Sequence, residues 1–177
     1  MSKRDLKKYL AELNKEQLEE QIIELYEKFA PVKVYYDFVF NPKEDKLLQE
    51  SKVKISHEYF PIKKPNAKWR PKAKMRRSVA QKIIKHFIMI GVDPFVIADI
   101  MLYNIEIAQT YSSNNFIKQE LFYKSILNSF EQAVNFVISN GILYDFKDRI
   151  LAVKQETIQQ KWKNKYDFEA ILEKIDF

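Results

Sequence analysis

The chain is 177 residues long, carries a formal net charge of +6, and contains two glycines and no cysteine. That length suits one domain with a sizeable core, and no composition break divides residues 1–177. Two glycines are too few for a glycine-rich phosphate cradle or a set of tight β-hairpins, and the missing cysteines exclude disulfides, thiolate metal sites and cysteine nucleophiles.

Ser2 with Asp5 has capping-box spacing, and Leu6, Tyr9, Leu10 and Leu13 recur as one face of a short helix. The charges in MSKRDLKKYL stand where a secretory signal needs an apolar core, so no signal peptide is expected. Asn14 with Gln17 repeats the start signal, and Leu18, Ile22, Leu25, Tyr26 and Phe29 line a second helix that Pro31 should end or interrupt. Residues 32–40, VKVYYDFVF, fit both a strand and a helix period. A lone strand would have nothing to pair with, which favours helix.

Asn41-Pro42-Lys43-Glu44 then opens a helix expected to reach about Tyr59, before Pro61. Residues 61–77, PIKKPNAKWRPKAKMRR, hold eight cations (Lys63, Lys64, Lys68, Arg70, Lys72, Lys74, Arg76, Arg77) and no carboxylate. Residues 1–60 and 78–177 each hold 11 basic and 12 acidic residues, so the whole basic excess sits in this one segment. Pro61, Pro65 and Pro71 exclude a continuous helix, leaving a long basic loop.

Ser78 with Gln81 is expected to cap the next helix, which Gly91 should close with Val92 as its apolar contact. Asp93-Pro94 starts a largely apolar helix that belongs at the centre of a bundle. The apolar run Ile83–Ala108 is broken by Lys85, His86, Asp93 and Asp99, short of the roughly 20 residues a membrane span needs. Ser112–Asn115 reads as a turn, followed by a long helix from Phe116 to Asn140. Gly141 and Ile142 repeat the glycine cap, Asp145 with Asp148 opens a helix to Trp162, and a last short helix starts near Asp167. The pattern predicts an all-α fold of about eight or nine helices in antiparallel hairpins, soluble and cytoplasmic.

Four strings, LKKYLAELNKEQLEEQIIELYEKF, VYYDFVFNPKEDKLL, RRSVAQKIIKHFI and GVDPFVIADIMLYNIEIAQTY, together cover most of residues 3–111. They resemble a family of small bacterial proteins known as a domain of unknown function. The resemblance implies a bacterial, cytoplasmic, largely helical protein and carries over no catalytic or binding residue.

The cations of residues 61–77 suit phosphates, and Trp69, between Lys68 and Arg70, suits an unpaired base on which to stack. Arg76 and Arg77 precede the helix opened by Ser78, where free N–H groups and the helix dipole also favour an anion. The expectation is a non-enzymatic module binding nucleic acid or another polyanion through Lys63, Lys64, Lys68, Trp69, Arg70, Lys72, Lys74, Arg76, Arg77 and Ser78. The alternative for the same residues is a solvated loop with Trp69 folded onto the bundle as an apolar anchor. The basic cluster would also attract anionic headgroups, at about 1 kcal/mol per cation.

A second expectation is a helical protein-interaction scaffold, since Tyr35, Tyr36 and Phe38 cannot all face one side of a helix. An enzyme built on Asp99 and Glu106, seven residues apart on one helix face, is a remote third. Those acids more naturally form a polar stripe paired with lysines such as Lys82 or Lys85. His57 and His86, the only histidines, make a poor metal site without further ligands, no G-x-S-x-G occurs, and no cofactor motif is present.

Overall fold

The computed structural model describes residues 2–63, 65–69 and 71–175. Among them the fold is all-α: α1 (Lys3–Ala11), α2 (Lys15–Lys28), α3 (Ala30–Phe40), α4 (Glu44–Tyr59), α5 (Arg77–Ile90), α6 (Pro94–Asn114), α7 (Glu120–Ser139), α8 (Leu143–Gln159) and α9 (Lys165–Leu172). No helix of the described residues is long and apolar enough to cross a membrane. Packing divides the chain into two compact units, Met1–Lys43 and Glu44–Phe177. Composition marks no break near residue 43; the division is one of contacts between helices.

In the first unit both expected capping boxes form. Asp5 N–H donates to Ser2 Oγ at 3.3 Å while Ser2 N–H donates to Asp5 Oδ2 at 2.9 Å, and Asn14 and Gln17 exchange the same pair at 2.8 and 3.0 Å. Phe29 leaves the helical region, with φ −120° and ψ 106°, and Pro31 occupies the first turn of α3. The stretch that alternates like a strand is therefore helix. Its aromatic residues meet at helical spacing, with Tyr36 and Phe40 stacked at 5.9 Å and Tyr26 of α2 edge-on to Tyr36 at 6.5 Å. No residue of α1, α2 or α3 is buried.

The second unit is built on α6, whose Ala98, Ile100, Leu102, Ile105 and Ala108 are fully buried against α4, α5, α7 and α8. Asp93 caps α6 by accepting from Phe95 N–H at 2.7 Å, and its own N–H donates to Glu44 Oε1 at 3.0 Å, joining the starts of α4 and α6. Phe130 of α7 and Phe168 of α9 pack at 4.9 Å and, like Ile150 of α8, are fully buried. Each such side chain removed from water contributes about 1.5–3 kcal/mol.

Several helix boundaries differ from the expected ones. Ser112–Asn115 does not turn the chain; α6 runs through it to Asn114. Ser112 and Ser113 donate to the carbonyls of Gln109 and Thr110, and Asn114 and Asn115 to those of Thr110 and Tyr111, so these side chains satisfy the last turn instead of breaking it. The following helix starts at Glu120 rather than Phe116, and Phe116 is 86% exposed in the connection. In the same way α8 begins at Leu143, directly after the Gly141 turn, which leaves Asp145 inside its first turn.

Candidate functional site

The acidic pair of α6 is already partnered. Asp99 and Glu106 lie two turns apart, about 10 Å along the axis, and Arg149 of α8 lies across both. Its Nη1 donates to Asp99 Oδ1 at 2.5 Å, while Nε and Nη2 donate to the two oxygens of Glu106 at 2.6 and 2.8 Å. Lys52 of α4 completes the group, 2.6 Å from Asp99 Oδ2. These partners replace Lys82 and Lys85, both on α5; α4 and α8 supply the cations, and both helices pack on α6. Burial pushes the Asp99 carboxyl up, but the hydrogen bonds and charges of Lys52 and Arg149 outweigh it and hold the group below its ordinary value. Burial likewise opposes the charge on Arg149, and Glu106 and Asp99 more than offset it, so that guanidinium is held more firmly protonated. The arrangement ties three helices together by charge-assisted bonds.

The connection between α4 and α5 runs over residues 60–76, and Lys64 and Arg70 lie outside the described residues. Its C-terminal end is fastened to the end of α4. The Lys74 and Met75 N–H groups both donate to the Glu58 carbonyl, at 2.9 and 3.0 Å. The Glu58 carboxylate, 8% exposed, then takes Arg76 at both oxygens, from Nε at 2.9 Å and Nη2 at 2.7 Å, and the Arg76 N–H at 3.3 Å. Met75 pays for this fastening with a φ of 51°, in the left-handed region.

These bonds also set where α5 begins. Arg76 becomes its N-cap without a side-chain cap, so Ser78, expected in that role, falls inside the first turn. The fixed position of Glu58, rather than a capping hydroxyl, determines the start. Arg77 points away from the connection: its Nε donates to Ser129 Oγ of α7 at 3.0 Å, and its Nη2 is buried without a partner. Arg76 and Arg77 are therefore separated from the other cations, one paired with a carboxylate and the other turned toward α7.

The remaining described cations are exposed. Lys63, Lys68, Lys72 and Lys74 face solvent and none forms an ion pair among the described residues. Trp69 does not fold onto the bundle; it is 77% exposed, with Lys68 Nζ 6.0 Å from its ring centre. Pro61, Lys63, Pro71 and Lys72 border a cleft of about 1030 Å³ whose wall is formed by Tyr59, Phe60 and Tyr111. Phe60 and Tyr59 lie 5.6 and 5.9 Å from the Tyr111 ring, so the root of the connection is packed on α6.

Sequence reasoning missed Glu58 as an organiser, although a signal was there: no other carboxylate occurs between it and Asp93. A single acid beside a run of cations is the natural anchor for one of them. Lys52 and Arg149 had no such signal, because their facing Asp99 depends on how α4 and α8 pack.

No curated protein and no solved structure matches this chain. A family model matches residues 1–176, extending past the strings of residues 3–111 to nearly the full length. The chain therefore belongs to that family, described as a family of unknown function (DUF6155).

Proposed function

We propose that this protein is a non-enzymatic helical module of the bacterial cytoplasm that binds nucleic acid or another polyanion through the connection between α4 and α5. The observation that carries the reading is Trp69, 77% exposed beside Lys68, within a stretch whose described lysines form no ion pair among the described residues. Exposing an indole to water is unfavourable, and a stacked base would relieve that cost while the lysines neutralise phosphates. Elsewhere in the second unit Lys52 and Arg149 are spent on Asp99 and Glu106, so the contrast is local. The proposed contacts are Lys63, Lys68, Trp69, Lys72 and Lys74, joined by Lys64 and Arg70 from the sequence.

Fluorescence anisotropy with labelled oligonucleotides at two salt concentrations tests this. Replacing Lys63, Lys68, Lys72 and Lys74 by Gln should weaken binding and lower the salt slope by about 0.7–0.9 per contact removed. An unchanged affinity and slope would sink the reading.

A second reading, a protein-interaction scaffold, rests on a different observation. The first unit buries none of its described residues, yet it exposes Phe29, Val34, Tyr35, Val39 and Phe40.

A further inference from the structure

The cleft at the root of the basic connection is not isolated. A second cleft, of about 660 Å³, lies between the end of α6, the connection to α7, and the turn from α8 to α9. Asn115, the C-cap of α6, lines both. The second cleft has no part in the polyanion reading above, but it has the same chemistry. Lys118, Lys161 and Lys163 line it, and the one carboxylate among its described residues, Glu120, is already 3.7 Å from Lys163. With Lys63 and Lys72 of the first cleft, five lysines face one acid among the described residues.

Aromatic surface accompanies these charges. Phe116 stands 86% exposed at the second cleft, as Trp69 stands exposed on the connection. The wall behind it is fixed. Trp162 is buried, packs edge-on against Tyr123 at 5.2 Å, and donates through Nε1 to Gln160 Oε1 at 2.9 Å. Ser112 Oγ lies 2.6 Å from the same oxygen, and the Gln160 amide donates to the Gln109 carbonyl at 3.0 Å. A rigid polar wall with projecting cations and an unpacked ring is a surface that need not reorganise on binding.

We propose that the two clefts form one track for single-stranded nucleic acid, entering along the basic connection and passing Asn115 into the cleft beside the turn from α8 to α9. This rests on the polyanion reading. Lysines alone would accept any polyanion; exposed rings beside them select one that offers unpaired faces, which a duplex keeps stacked inside. Two concave clefts that share a lining residue also suit a flexible strand better than a stiff cylinder or a flat bilayer.

The test uses the full chain, with labelled oligothymidylates of roughly 5 and roughly 16 nucleotides, spanning the usual site sizes, a duplex, and anionic vesicles. The variant is Phe116→Ala with Lys118→Gln and Lys163→Gln, all at exposed positions, and its urea midpoint should match the unaltered chain. The longer oligonucleotide should lose about tenfold or more in affinity, the size of one stacked base and two phosphate contacts, while the short one loses little. Equal binding of both lengths by variant and unaltered chain would overturn the track and leave the connection as the whole site. Preference of the unaltered chain for duplex or vesicles would overturn the single-strand assignment. Failure of the unaltered chain to bind any of these polyanions would remove the underlying reading as well.

Discussion

Glu58 does at the level of one residue what no capping hydroxyl does for α5. Its carbonyl holds the Lys74 and Met75 amides, and its carboxylate holds Arg76. The Arg76 hydrogen bonds keep the Glu58 carboxyl below its ordinary value, against the opposing effect of burial. Asp99 is shifted the same way. A carboxyl whose folded pKa is depressed contributes stability that is fully present above the unfolded value and is lost as pH falls through the folded value. The urea midpoint should therefore hold from neutral pH to about pH 5 and fall below about pH 4. Glu58→Gln should lower the midpoint at neutral pH and flatten that acid limb. A variant whose acid limb matches the unaltered chain would show that Glu58 contributes nothing to it. At the alkaline end Tyr59 works oppositely: burial first, then the Glu58 charge, pushes its phenol up to about 12. The folded state resists ionising it, so its contribution is present below about pH 10 and is lost as pH rises toward 12.

Three helix ends share one hydrogen-bond pattern. Val92 N–H reaches back to Phe87 O, Ile142 to Val137 O, and Trp162 to Thr157 O, each over a residue with positive φ: Gly91 at 76°, Gly141 at 70° and Lys161 at 55°. The first two were legible because glycine adopts the left-handed region freely. The third was not, since lysine gives no such signal; the burial of Trp162 beyond the turn is what holds Lys161 there. Two substitutions with opposite signs follow. Gly141→Ala should cost about 1 kcal/mol, all of it backbone strain, because a Cβ there meets nothing within 4 Å. Lys161→Gly should stabilise by about 0.5–1 kcal/mol by relieving the same strain. Urea or thermal unfolding measures both, and a destabilised Lys161→Gly would mean the strain is absent or the lysine side chain outweighs it.

For the whole molecule, the division at residue 43 separates two kinds of helical packing. The second unit encloses a core around α6, whereas the first joins α2 and α3 through aromatic rings and buries none of its described residues. A helical unit of about 40 residues is near the size below which a core alone seldom suffices, so added contacts would stabilise it. If α3 is an interaction face for a second copy, sedimentation velocity should show mass above the monomer at high protein concentration. Val39→Ser with Phe40→Ser should then return the chain to monomer, both positions being exposed and neither buried in any core. A monomer at every concentration would count against self-association through α3.

The sequence by itself determined the helix inventory, the central place of α6, both glycine turns and the position of the basic excess. Those properties are local: side-chain periodicity, capping residues and charge counts act within a few residues of where they are read. Only the tertiary structure decided which cations remain available. Arg76 and Arg77 stand in the same basic run as Lys72 and Lys74, yet Glu58 takes the first and Ser129, 52 residues along the chain, takes the second. Arg149 and Lys52 likewise reach Asp99 from helices remote in sequence. Pairing of charges falls off over a few ångströms, so it depends on which helix surfaces meet, and that is set by the packing of the whole second unit around α6.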